Sequence, residues 1–465
     1  MYDTIIIGAG LSGLAAGIRL AHYGQKVCIL ERHYTIGGLN SFYRMHGRDF
    51  DVGLHAVTNF TPKGTRRGPL ATVLKRLQIE WDEFQLAPQI GSSVAFPGVK
   101  LRFTNDYKLL ESEVARAFPA QIDGFRQLVA QLADYDQIDQ AGYEGSAREV
   151  VSRFISDPLL VEMLFCPLMW YGNAREHDMD YGQFCIMFRS VFMEGFSRPY
   201  DGIRLILKIL VKKFKASGGE LRLRSGVQRI ETDAGRVTRV VLDSGEIVEG
   251  KNVLSSAGSF ETLRLVDPPV AQTAVGEPGR LSFIETLSVL DRQPRDLGHD
   301  ETIVFFNDHE TFEWCRPEDD LCDLRTGVIC SPNNYAYRND DGTPRDLEEG
   351  VMRITLLANH PRWIALSDEE YKAEKERWYQ ATLESATRFG PDFRPHVVAT
   401  DMFTPRTIER FTWHTNGTVY GAPKKRLDGR TPYKNLFLCG TDQGYVGIIG
   451  SMISGISLAT HLLRP

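Results

Sequence analysis

The sequence predicts an α/β fold: a parallel sheet assembled from stretches far apart in the chain and carrying a β-meander, beside an α+β domain with helical insertions. Three observations predict it. A β-branched run at residues 4–7 leads straight into Gly8, Gly10 and Gly13 and then into a helical pattern. A short apolar strand at 436–439 leads into a glycine-rich helix near the other end. Between 218 and 258, apolar alternation is broken by Asp/Gly turns, the signature of a meander.

The first of these carries the most chemistry. Thr4, Ile5, Ile6 and Ile7 read as a strand buried on both faces. Leu14, Ala15, Ile18, Leu20 and Ala21 follow at helical spacing, and Gly24 stands where a helix C-cap belongs. A second strand from Lys26 to Leu30 ends in Glu31. Gly8 permits the tight turn from strand to helix, Gly10 lets the backbone approach a pyrophosphate, and Gly13 lets the helix lie close to the strand. Ser12 sits in the first turn, where free N–H groups favour a phosphate anion. The Glu31 carboxylate can accept hydrogen bonds from ribose hydroxyls and would repel a 2′-phosphate, which disfavours NADP.

Arg32, then the pair Gly37 and Gly38, then Phe50, Asp51, Val52 and Gly53, continue the segment. This continuation is similar to flavoproteins with a second glycine pair after the ribose acid, and that resemblance implies FAD in a Rossmann-like domain. At the far end, Gly440 and Asp442 close the strand Leu436 to Cys439, and Gly447 and Gly450 open a helix. In an FAD fold this places an acid near the ribityl chain or pyrophosphate and a positive helix end beside the flavin ring. In the meander, Val227 would set its backbone beside the adenine.

Bulk properties narrow the function classes. At 465 residues, 42% hydrophobic and 25% charged, the chain is expected to form two or three globular domains. A net charge of -6 gives no reason to expect a nucleic-acid partner. The seven cysteines include no CxxC pair, so no metal site and no disulfide framework is expected, and reduced cytosolic thiols fit best. No signal peptide is read, and no apolar run is long enough to span a membrane. The nearest candidate, 446–463, reads as a buried glycine-rich helix.

With these motifs together, the chain resembles the carotenoid desaturase-type flavoproteins, which include phytoene and diapophytoene desaturases, carotene isomerase and retinol saturase. The matching segments are the start, about 200–258 and 404–463. Phe50 to His55, Gly417 to Ala422, and Gly440 to Gly447 look like the isomerase and saturase branch. The resemblance implies an FAD-dependent oxidoreductase acting on a long apolar isoprenoid or polyene. Desaturation, with hydride transfer to flavin N5, is the leading reading, with cis–trans isomerisation or saturation as the alternative. A non-catalytic flavin-containing isoprenoid binder is the reading from another class.

The remaining chain is expected to serve the substrate. The flavin-binding parts are assigned to 1–60, 201–265 (with the meander) and 411–465, and the substrate region to 61–200 and 266–410. Residues 159–171 and 181–196 are rich in Phe, Met, Trp and Tyr, and can build either a core or a hydrocarbon tunnel. The polar stretch 291–350 reads as loops and a hairpin. Residues 203–215 form a basic amphipathic helix that can pack on the sheet or rest on an anionic bilayer. A cytoplasmic location is expected from the cysteine usage and the lack of a signal peptide, and peripheral contact at the inner membrane face from a bilayer-soluble substrate. The hard chemistry belongs to the flavin. His55 is the candidate catalytic acid or base. Asp51 is expected to tie its loop, and His414 is a second candidate beside the ring.

Overall fold

The β-branched run forms the strand Tyr2–Ile7, with Ile5 and Ile6 fully buried. It lies at the centre of a five-stranded, all-parallel sheet in the order Leu436–Leu438, Gly250–Ser255, Tyr2–Ile7, Val27–Leu30, Glu220–Arg222. The computed structural model describes residues 1–53, 55–133, 145–461 and 463–464.

Successive side chains of a strand face opposite ways, and both faces here are covered. Ile6, Ile29 and Leu254 join one core with Leu14 and Ile18 of the helix Leu11–His22, Leu207 and Leu210 of the helix Ile203–Ala216, and Ile449 and Met452 of the helix Gly447–His461. Ile5, Ile7, Cys28, Leu30 and Val253 join another with Val227, Ile230 and Val240 of the meander. The meander is a four-stranded sheet in the order Ile247–Val248, Arg236–Leu242, Val227–Asp233, Val266–Asp267. Its hairpins are antiparallel, and Val266–Asp267 adds a parallel edge.

The basic helix therefore packs inward. Ile203, Ile206, Leu207, Leu210 and Phe214 are buried, while Lys208, Lys212 and Lys215 face solvent. Its apolar stripe is spent on the sheet and is not offered to a bilayer. The glycine-rich helix Gly447–His461 is also a core element, and a Cβ on Gly455 would lie 2.0 Å from the Ser12 carbonyl oxygen. Among the described residues, no helix is long and apolar enough to cross a membrane.

The rest of the chain centres on a seven-stranded sheet, in the order Val397–Phe403, Ser282–Leu290, Gly350–Ala358, Cys322–Cys330, Ile303–Asn307, Ser92–Phe96, Val99–Phe103. Its pairs are antiparallel except Ile303–Asn307 with Ser92–Phe96. The polar stretch 291–350 contributes an antiparallel hairpin, Ile303–Asn307 with Cys322–Cys330, to the middle of this sheet. The helix Asp368–Ala386 covers one face through Trp378, Tyr379 and Leu383.

The helices Pro158–Gly172 and Tyr181–Phe188 cover the other face. Their aromatic residues mostly build core: Phe165 and Phe184 pack with ring centroids 5.0 Å apart, and Phe188 meets Phe192 edge-on at 5.1 Å. Only Trp170 and Tyr171 at the end of the first helix reach the cavity described below. The rings of both helices join Val94, Phe96 and Phe305 of the sheet in one core.

Candidate active site

The glycine loop opens into a cavity of about 400 Å³. Gly8 turns with φ of +95°, a left-handed conformation that L side chains rarely adopt, and a Cβ there would lie 2.6 Å from the Ser256 hydroxyl. Gly13 packs the helix on the turn: its Cβ would lie 2.3 Å from the Gly8 carbonyl oxygen. Gly10 differs from both. A Cβ built on it meets no heavy atom within 4 Å, so the missing side chain opens space in the cavity wall. Ser12 lines the same wall from the first helical turn, and no side chain caps that helix start. The second glycine pair runs alongside, with the Gly37 amide donating to the Ala9 carbonyl at 3.0 Å. Gly37 and Gly38 both line the cavity.

Glu31 sits at the end of its strand, as expected for a ribose acceptor. The Ala9 and His33 amides donate to its two carboxylate oxygens, each at 2.8 Å. Each oxygen keeps a second lone pair for a ligand hydroxyl. Arg32 donates to the Val227 carbonyl, pairs with Asp243 at 2.8 Å, and stacks under the Trp413 ring at 3.7 Å from its centroid. Arg32, Val227 and Trp413 thereby form one end of the cavity.

The C-terminal motif supplies the opposite wall through Gly440, Thr441 and Asp442. Asp442 is buried, and its carboxylate accepts the Ser259 amide at 2.5 Å and the Ala422 amide at 2.8 Å. It ties two loops at the cavity edge. Gly447 lines a second cavity, and Gly450 lines neither. His414 lines the first cavity and not the second. Arg410, Phe411, Thr412 and Trp413 ahead of it line the same cavity, around the start of the expected flavin-binding part 411–465.

The second cavity holds about 180 Å³ and shares Leu39, Asn40, Thr441 and Ser451 with the first. Trp170, Tyr171, Phe283, Phe403, Val419 and Tyr420 give it a largely apolar wall. Into that wall the fold sets one charged cluster. His55 Nε2 lies 3.0 Å from Glu285 Oε2 and 3.3 Å from the Thr355 hydroxyl. Arg353 donates to Glu285 Oε1 and to the Val52 carbonyl, the latter at 2.6 Å. Tyr335 donates to the His55 carbonyl at 2.8 Å and fixes its backbone. Burial disfavours the imidazolium, but the Glu285 carboxylate and the Cys330 thiol together outweigh it and raise the His55 pKa to about 9. Burial likewise pushes Glu285 up, and the Arg353 and His55 cations bring it below the ordinary carboxylate value.

Asp51 lies apart from this cluster. It accepts from Arg198 at 2.6 Å and from the Ile203 amide at 3.1 Å, and so anchors the start of the helix Ile203–Ala216. Glu285, Arg353 and Thr355 were not singled out in the sequence. The available signal was a lone acid inside the apolar strand Ser282–Leu290 and a lone base inside Gly350–Ala358.

The residues present fit a dinucleotide: a side-chain-free wall at Gly10, an uncapped helix start for phosphate and an oriented carboxylate for ribose. Comparison with known proteins agrees. The family model of the flavin-containing amine oxidoreductases matches residues 11–463. The chain is 22% identical to an all-trans-retinol 13,14-reductase of Danio rerio, over 99% of this chain and 86% of that protein. It is 21% identical to a chloroplastic prolycopene isomerase 2 of an Oncidium hybrid, over 98% and 83%. An oxidoreductase from Methanosarcina mazei shares the fold, with a TM-score of 0.69 at 17% identity over 98% of this chain and 99% of that one. Glycine loop, ribose acid, closing strand and family match together make the chain a member of the flavin-containing amine oxidoreductase family, an FAD-dependent oxidoreductase.

Proposed function

We propose that the protein converts a long, apolar isoprenoid or polyene of the carotenoid type. The observation that carries this is the second cavity, which shares Leu39, Asn40, Thr441 and Ser451 with the cofactor cavity and is walled by aromatic and aliphatic side chains. Among the described residues lining it, the one carboxylate, Glu285, is already engaged by Arg353 and His55 and is not free to serve as counter-ion to an ammonium substrate. The retinol reductase and prolycopene isomerase relatives, by their names, act on conjugated isoprenoids, in keeping with such a substrate.

FAD, when bound, supplies two-electron exchange at its ring. The chain's own parts do the rest. Gly8, Gly10, Ser12 and Gly13 seat the phosphates; Glu31 holds the ribose; Arg32 and Val227 border the adenine end; Gly37 and Gly38 pass beside the dinucleotide. Gly440, Asp442 and the helix end at Gly447 frame the ring side, and Gly450, which lines neither cavity, has no part in it. The aromatic wall excludes water, and His55 holds a proton at Nε2 beside the substrate space. Desaturation remains the first reading of the reaction. The Glu285 carboxylate, 3.0 Å from His55 Nε2, favours a protonated imidazole and with it the second, in which hydrogen is added or a double bond is isomerised.

Such a substrate partitions into bilayers, so contact with a membrane surface accompanies this reading, and liposome flotation measures it. The deciding experiment adds phytoene, dehydrosqualene, prolycopene and all-trans-retinol to the flavin-loaded protein without oxygen. Product mass separates loss of two hydrogens, no change and gain of two. Failure of every polyene to react or to alter the flavin spectrum would overturn the substrate assignment.

A further inference from the structure

The second cavity brings few ionisable groups to its substrate space: among the described residues lining it, these are His55, Glu285, Tyr171 and Tyr420. The Tyr420 hydroxyl donates to the Trp170 carbonyl, and burial pushes both tyrosines up. Glu285 accepts from Arg353 and His55 and so has no proton of its own to give. His55 is left as the group that can hold and release a proton near neutrality. The groups facing it are Glu285 and Thr355 on neighbouring strands, Cys330 and Tyr335 at its backbone carbonyl, and Arg353 behind Glu285.

Resting on the polyene reading above, we propose that His55 delivers the proton of Nε2 to a carbon of the substrate, and that Glu285, clamped by Arg353, is the positioning residue that keeps the imidazole loaded. The N–H bond breaks and its electron pair stays on the ring. A π pair of the polyene forms the new C–H bond, and the positive charge moves to the neighbouring carbon, spread along the conjugated chain. Rotation about the weakened bond and loss to Nε2 of the hydrogen that the carbon first carried give a geometric isomer with no net electron transfer. Capture of the same cation by hydride, its two electrons drawn from reduced FAD, gives the saturated product. In both, the histidine acts first as an acid, whereas a base-assisted desaturation would need it neutral. The Thr355 hydroxyl, 3.3 Å from Nε2 and 3.5 Å from Glu285 Oε2, can share the proton as it moves.

The test uses the flavin-loaded protein with labelled histidine, followed by NMR across pH, and with prolycopene and all-trans-retinol incubated in D2O with dithionite. The expected results are a His55 ring charged at neutral pH and deuterium on a former polyene carbon of the product. His55→Phe should slow deuterium entry by about 100-fold or more while FAD absorbance persists. Glu285→Gln should move the His55 titration and the alkaline limb of the rate profile toward acid by about one pH unit or more, a shift that a purely structural role would not produce. A His55 ring neutral at pH 7 overturns the proposal whatever the substrate. Conversion of either polyene without solvent deuterium, or unchanged deuterium entry in His55→Phe, overturns it and leaves the polyene reading standing. Failure of both polyenes while His55 stays charged overturns the proton transfer, and the polyene reading falls with it when phytoene and dehydrosqualene fail as well.

Discussion

Two glycines three residues apart should separate ligand space from packing. Gly10 has φ of −72° and an open Cβ position, so an alanine there needs no strained backbone and touches nothing in the protein. Gly10→Ala should leave the flavin-free protein within about 0.5 kcal/mol of the parent, a small capping cost set against a less flexible unfolded chain. The added methyl projects into the space that the phosphates need. Overpacking a filled site costs about 1–3 kcal/mol, so FAD should bind roughly 5- to 150-fold more weakly. Gly13→Ala should do the reverse in the flavin-free state. Its methyl would lie 2.3 Å from the Gly8 carbonyl oxygen and 3.3 Å from Ile6, against backbone and core that cannot step aside. That protein should lose about 1–3 kcal/mol before any cofactor is added. Denaturant unfolding of the flavin-free proteins reads the first quantity as a midpoint change at constant slope. Titration with FAD, followed by quenching of flavin fluorescence, reads the second. Gly10→Ala binding FAD as the parent does, or destabilising the flavin-free protein as much as Gly13→Ala, would refute the assignment of this cavity to the pyrophosphate.

Other substitutions test the remaining parts. Glu285→Ala takes the carboxylate from two buried cations and should cost about 3–5 kcal/mol in unfolding free energy, with Glu285→Gln costing less. The His55 pKa is raised above its ordinary value of 6.5 to about 9, so its contribution to stability is complete below 6.5 and is lost as pH rises through 9. Thermal unfolding at a series of pH values should show that decline in the parent and not in His55→Phe. Gly455→Ala would set a methyl 2.0 Å from the Ser12 carbonyl oxygen, force the last helix off the first, and lower the denaturation midpoint by the equivalent of about 1–3 kcal/mol.

The cofactor half was legible because its grammar is local. Strand, glycine loop, helix, strand and acid all fall between Tyr2 and Glu31, and each demands a residue type at a fixed step. The closing strand and its glycines at 436–447 were readable for the same reason. The charged cluster was not, because it is made by register. Glu285 pairs directly with Thr355 across adjacent strands, and Arg353 is two residues along, on the same face. Nothing within Ser282–Leu290 or Gly350–Ala358 alone says that these strands are neighbours. Aromatic density in 159–196 could not decide between core and tunnel, since both want the same residues. The answer depended on which sheet face those helices cover.

The order of strands in the parallel sheet also sets a timetable for synthesis. A ribosome makes the chain from its N-terminus, and domains tend to fold as they emerge. Tyr2–Ile7, Val27–Leu30, Glu220–Arg222 and Gly250–Ser255 can assemble early, but Leu436–Leu438 is the last to pair. Until then Gly250–Ser255 is a bare sheet edge, with unpaired backbone groups that invite association with other chains. The cofactor cavity also lacks Gly440, Thr441, Asp442 and Ser451 over this interval. Flavin capture therefore waits for Leu436–Leu438, and the open edge needs shielding between the synthesis of Gly250–Ser255 and that of Leu436–Leu438. Flavin supply in the cell should accordingly govern how much finished enzyme accumulates, and have no effect on how fast the ribosome delivers it.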